Sequence, residues 1–237
     1  MERPAVSADV FRTTPENRYR LTRESRQALR QLSRPSERSG ELSPLGYSLT
    51  ISHAHRFVWF RVAKVASRSI LGYFAEHDIE LDVHHAQNMR YPTAVFGDYL
   101  KFAFVRHPLP RFVSAWQDKV VNNNYFGFDD ATLSRMRERV ETFAEWTATQ
   151  DLDDPREGDV HLALQTRLID LSQVDLLGRL ETFDADFAMV CDRLGLPAAP
   201  VKPRNTTSAP ATYSDELRAA VAEMYRRDFQ VLGYDPA

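Results

Sequence analysis

Sulfur and long apolar runs are scarce in this chain of 237 residues. One cysteine, Cys191, leaves no partner for an internal disulfide and suits a reducing compartment. It lies in Phe187–Gly195, a helical pattern stopped by glycine, where core packing is its expected role. No run of about 18 apolar residues occurs, so no membrane-spanning helix is expected. The start, Met1–Val6, has no secretory apolar core either, and a cytoplasmic location is the expectation. An excess of positive charge is also missing. Thirty Lys and Arg against 33 Asp and Glu give a net charge of −3, which provides no field for nucleic acid. The phosphate loop G-x-x-x-x-G-K-[ST] is absent, which argues against ordinary ATP or GTP hydrolysis. His53-x-His55 and His84-His85 lack the accompanying Cys or carboxylate spacing of a metal site, so no metal is expected. There is no internal repeat and no low-complexity tract. What remains, 43% hydrophobic and 27% charged, is the composition of a globular protein.

The most informative segment is Phe57–Phe74, which contains Lys64-Val65-Ala66-Ser67-Arg68-Ser69. It reads as a buried strand, a short polar loop and the first turn of a helix. Unpaired N–H groups and the helix dipole favour an anion at such a start. Lys64 adds a full charge, and the hydroxyls of Ser67 and Ser69 can donate to phosphate-type oxygens. Taken alone, the same residues fit a solvated lysine and simple helix caps equally well. A second unit of this design follows about forty residues later. Tyr99–Val105 is an apolar, β-branched and aromatic run of strand type. It ends in Arg106-His107-Pro108-Leu109-Pro110-Arg111, with proline suited to the first turn of the next helix and Ser114 further along it.

Lys64–Ser69 resembles the 5′-phosphosulfate loop of sulfotransferases, and Arg106-His-Pro-x-x-Arg111-x-x-Ser114 resembles their 3′-phosphate motif. The likeness is greater to the carbohydrate (membrane-type and bacterial) branch than to the small-molecule cytosolic one. Leu177–Phe183 and Tyr225–Tyr234 are similar to that branch's later strand and its C-terminal helix, so the resemblance covers about residues 50 to 237. It implies 3′-phosphoadenosine-5′-phosphosulfate (PAPS) as donor and sulfuryl transfer to a hydroxyl of a carbohydrate or glycan-like acceptor, without a metal. Lys64 would neutralise the leaving 5′-phosphate, and the amides of Val65, Ala66, Ser67, Arg68 and Ser69 would hold its oxygens. Arg106 and Ser114 would take the 3′-phosphate. Arg68 stands where many relatives have a small hydroxyl residue, and either contacts the sulfonate or turns outward.

The same resemblance places a histidine base between the two motifs, where His84 and His85 stand, His85 being the preferred one. Glu76, Asp82 and His161 compete with them. Asp159–Gln165 looks like an acceptor-side segment, with His161 and Gln165 at i and i+4 on one expected helix face lining the substrate. A basic lid is expected in Val201–Ser208, with Lys202 and Arg204 as its charges. Glu181 is expected to be structural.

Strands alternating with helices predict an α/β chain, a three-layer P-loop-like fold with a central parallel sheet flanked by helices. The expected elements are strands at 57–63, 100–105 and 174–180, helices at 68–77, 109–121, 129–149, 159–171, 184–194 and 213–230, and a short strand or turn near 80–83. Residues 1–45 are set apart as an arginine-rich arm, partly disordered or helical, and residues 46–237 as the sulfotransferase domain. The arm either gathers an anionic acceptor or membrane surface, or is a solvated tail. Two other functions compete: a small-molecule kinase on a related fold, and a nucleotide-binding protein without catalysis.

Overall fold

The computed structural model describes residues 6–33, 42–154, 156–198, 200 and 213–236. The proposed lid residues Lys202 and Arg204 fall outside the described residues. In chain order the elements are β1 (Thr13–Thr14), β2 (Asn17–Leu21), α1 (Arg23–Leu32), β3 (Tyr47–Ser52), β4 (Phe57–Phe60), α2 (Ser67–Glu76), β5 (Val83–Met89), β6 (Leu100–Val105), α3 (Pro108–Trp116), α4 (Asp130–Glu138), α5 (Val140–Thr147), α6 (Gln165–Leu168), β7 (Leu176–Arg179), α7 (Phe183–Leu194), α8 (Asp215–Met224) and α9 (Arg226–Leu232). The chain divides into two compact units. The first takes residues 1–61, 68–104 and 169–202, and the second residues 62–67, 105–168 and 203–237.

The first unit is built on a five-stranded sheet in the order β5-β3-β4-β6-β7. β4 and β6 pair in parallel, with Trp59 opposite Phe102, whereas β3 runs antiparallel to both β4 and β5. The expected parallel sheet is therefore mixed. The reason is local: β3 and β4 are joined by a tight turn in which Arg56 has a φ of 50°, and a short connection permits only antiparallel pairing. β3 was absent from the expected strands, and β5 extends six residues beyond the expected turn, to Met89.

Alternation decides what covers each face of this sheet. Phe57, Trp59, Phe102 and Phe104 share one face; there Phe74 of α2 stacks on Phe57 at 5.3 Å, and Phe183 and Phe187 of α7 meet Phe104. Tyr47 and Phe60 point the other way and are covered by Tyr91 of the segment after β5, next to Phe96 and Phe11. Phe11, Tyr91 and Phe96 have no solvent exposure, so part of the arginine-rich N-terminal segment belongs to the core. α7 ends at Gly195, whose φ of 62° is a left-handed stop that glycine adopts without strain.

The second unit is helical. Leu109, Phe112 and Val113 of α3 form its core with Leu133, Met136, Phe143, Leu217, Val221, Tyr225 and Phe229. Pro108 opens α3, and past Trp116 the chain widens into a π-helical turn, Gln117–Val121. Two expected long helices are each broken in two, at Arg139 and at Tyr225. Most of the helix expected over 159–171 is turn, with only Gln165–Leu168 helical.

A candidate active site

The loop between β4 and α2 bends sharply without glycine. Lys64 and Ala66 take φ values of 71° and 60°, in the left-handed region that costs a side chain energy and concentrates at ligand-binding loops. Successive amides in such bends converge on one side and favour anions. Val62 and Val65 anchor the loop in the interior, and the Ser67 hydroxyl donates to the Val62 carbonyl at 3.1 Å. Ser69 is buried, whereas Arg68 is exposed on the first turn of α2.

Residues 62–67 belong to the same unit as the second motif, and two contacts join them. Arg111 is 1% exposed, and its Nε donates to the Ala63 carbonyl at 3.2 Å. Lys64 Nζ pairs with Asp118 Oδ2 at 3.0 Å, on the π-helical turn. Burial pushes the Asp118 carboxyl up, but the bond to Lys64 and the charge of Lys119 more than offset this and hold it below the usual range. π-Helical turns of this kind recur at functional sites.

Arg106 is fixed through its backbone. The Gln165 amide accepts the Arg106 N–H at 2.9 Å and donates to its carbonyl at 2.8 Å. Gln165 is fully buried and begins α6, whose first amides donate to the buried carboxylate of Asp228. Gln165 and His161 thus do not share a helix face: the amide of Gln165 is committed to holding the start of α3, and His161 sits in the preceding turn. Ser114 is 5% exposed within α3.

His161 Nδ1 bonds Asp159 at 2.7 Å, and its ring lies edge-on to Tyr125 at 5.3 Å. Arg111 makes a longer contact, 3.5 Å, with the carbonyl of Val160. Sequence reasoning listed His161 without its partner. Asp159, Arg111 and Asp118 were not identified as site residues, although an aspartate two residues before a histidine is a pattern that turn chemistry could have flagged.

His84 and His85 lie in the first unit, on β5, in different company. The ring of His85 is 5.1 Å from that of Tyr19, and the His84 carbonyl accepts the Thr50 hydroxyl at 2.8 Å. Burial, followed by the charges of Arg61 and Arg18, pushes His85 down to about 4 and lowers His84. Burial likewise lowers Arg61 to about 10. Glu181 sits in the single 3-10 turn after β7, and Cys191 is buried in α7, its thiol 3.5 Å from the Tyr73 hydroxyl. Among the described residues no three His, Cys, Asp or Glu side chains gather as a metal site requires, and no helix is long and apolar enough to cross a membrane.

The chain is thus mixed α/β, with Lys64 and Arg106 at two strand–helix junctions. The sulfotransferase family model matches residues 47–235, most of the chain, and the protein belongs to that family. Membership makes it a PAPS-dependent sulfotransferase. No curated protein and no solved structure matches it.

Proposed function

We propose that the protein transfers the sulfuryl group of PAPS to a hydroxyl of a carbohydrate or glycan-like acceptor by in-line displacement. The observation that carries this reading is the joining of the Ala63–Lys64 loop to α3 and the turn after it within one unit, through Arg111 to Ala63 and Asp118 to Lys64. A donor with phosphate at both ends of one adenosine needs two such sites; a simple phosphomonoester needs one. In this reading Lys64 neutralises the 5′-phosphate as it leaves, helped by the amides of Val65 to Ser69 and the hydroxyls of Ser67 and Ser69. Arg106 and Ser114 take the 3′-phosphate, where a planar guanidinium suits the geometry. A basic lid residue at Arg204, outside the described residues, is what the family resemblance implies. Reactions of this type rely on positioning and charge stabilisation rather than on covalent chemistry with the protein. The family resemblance implies one histidine of the pair His84 and His85, with His85 preferred, as the proton acceptor.

The deciding experiment is calorimetric titration with adenosine 3′,5′-bisphosphate, with AMP and ATP as controls. Selective binding of the bisphosphate is the expected result. Equal or absent binding would discard the paired phosphate sites and advance the kinase or non-catalytic readings.

A further inference from the structure

We infer that His161, aligned by Asp159, is the general base that takes the proton from the acceptor hydroxyl; this deepens the reading above and rests on it.

The alignment comes first. The Asp159 carboxylate accepts both the backbone N–H of His161, at 2.8 Å, and its Nδ1, at 2.7 Å. Burial pushes that carboxyl up, but the bonds from His161 outweigh burial, and a lowered carboxyl stays ionised. An ionised carboxylate only accepts, so Nδ1 carries the hydrogen and Nε2 holds the lone pair. No described residue bonds Nε2, and the side chain is 22% exposed. The Tyr125 hydroxyl also bonds Asp159, and the Tyr125 ring stands edge-on to the imidazole, so the pair is held from two sides.

The placement is equally specific. Arg111 touches the carbonyls of Ala63 and Val160, and the next residues are Lys64 and His161 respectively. One guanidinium is only a few ångströms across, so the backbones bearing those two side chains lie side by side. A second thread runs from Lys64 through Asp118 to Lys119, whose Nζ lies 4.2 Å from the centre of the Tyr125 ring, and so to Asp159. Lys64 marks the leaving phosphate, and the attacking oxygen must approach within one sulfuryl group of it.

In the step itself, the acceptor oxygen forms a bond to sulfur while the bond from sulfur to the 5′-phosphate oxygen breaks. The electron pair goes to that phosphate, beside Lys64. The hydroxyl proton passes to His161 Nε2 and then to solvent, and Asp159 stabilises the imidazolium while it exists. His84 and His85 face the opposite situation. Among the described residues the charges of Arg61 and Arg18 act on both rings, so an imidazolium there is opposed.

The test compares His161→Ala, Asp159→Asn, His84→Ala and His85→Ala with the parent protein. Binding of adenosine 3′,5′-bisphosphate is measured by calorimetry. Turnover of PAPS is followed with a panel of neutral and acidic oligosaccharides and, more slowly, with water alone, since a base acts on either hydroxyl. His161→Ala should bind the bisphosphate like the parent while kcat falls by about 10²- to 10⁴-fold, the usual contribution of a general base. Added imidazole should restore part of that loss in His161→Gly, which a merely structural histidine would not show. Asp159→Asn should lower kcat while leaving the KM for PAPS and binding of the bisphosphate like the parent's; Tyr125, Lys119 and Arg111 are the other groups facing the pair. Retained turnover in His161→Ala, or loss confined to His85→Ala or His84→Ala, overturns the assignment. A parent protein that binds the bisphosphate yet consumes PAPS neither with any oligosaccharide of the panel nor with water overturns the base and leaves the donor site standing. A parent protein that fails to bind it removes the donor reading instead.

Discussion

At the scale of single residues, Lys64 and Arg111 separate chemistry from architecture. In the proposed reaction Lys64→Ala would remove the charge beside the leaving phosphate, and turnover of PAPS should fall by about 10²- to 10³-fold with the fold unchanged by circular dichroism. Arg106→Ala should weaken the bisphosphate by roughly 1.5–3 kcal/mol, the worth of a charge-assisted hydrogen bond, read by calorimetry. His85 yields a prediction about stability. The unfolded imidazole takes up its proton near pH ~6.5, whereas the folded one does so only at about 4. Between those values the unfolded state binds more protons, so stability is lost as pH falls through that window and is fully present above it. His84 acts in the same direction. Denaturant titrations at pH 7 and pH 5 should show the loss, and His85→Gln should reduce it.

Among the elements, the strand–loop–helix junctions were the most legible in sequence. Apolar runs such as Phe102–Val105, followed by Pro108, combine a strand pattern with a fixed helix start, and both signals are local. β5 was less legible because Val83–Met89 is mostly polar and is held as a strand by pairing with β3. The β1–β2 hairpin was hidden for the same reason: Asn17, Arg18, Tyr19 and Arg20 are all exposed. β3, in contrast, alternates plainly over Tyr47, Leu49 and Ile51, and the signal was there to be read. Within the site, Lys64, Arg106 and Ser114 were legible as a pattern. The burial of Arg111 and the π-helical placement of Asp118 depend on long-range packing and were not. Two substitutions test these elements. Ala66→Gly should leave thermal stability unchanged or higher, because glycine relieves the left-handed φ of 60°, whereas Ala66→Val should lower it. Gly178→Ala would place a Cβ 2.4 Å from the Phe104 ring, and the overpacking should cost about 1–3 kcal/mol in denaturant melts.

For the whole molecule, stability and ligand are linked. Residues 62–67 and the Arg106–Ser114 segment lie in a unit whose core includes Leu217, Val221, Tyr225 and Phe229 from the last two helices. Asp228 of α9 is fully buried and accepts the first amides of α6, where Gln165 grips the Arg106 backbone. A ligand that binds only the folded chain adds about 2.7 kcal/mol at a hundred times its Kd. Adenosine 3′,5′-bisphosphate should therefore raise the melting temperature in a concentration-dependent way, and the rise should disappear in Lys64→Ala/Arg106→Ala.

Cys191 has a practical consequence. Its thiol is 3% exposed and is pushed up by burial, with the hydrogen bond to Tyr73 a smaller opposing effect. A thiol that seldom ionises and seldom meets reagent is nearly silent to maleimides and to peroxide. The native chain is thus already a background for site-directed labelling. A cysteine introduced at an exposed residue such as Met189 of α7 would be the one reactive thiol on the protein, and a fluorophore placed there needs no other change to the sequence.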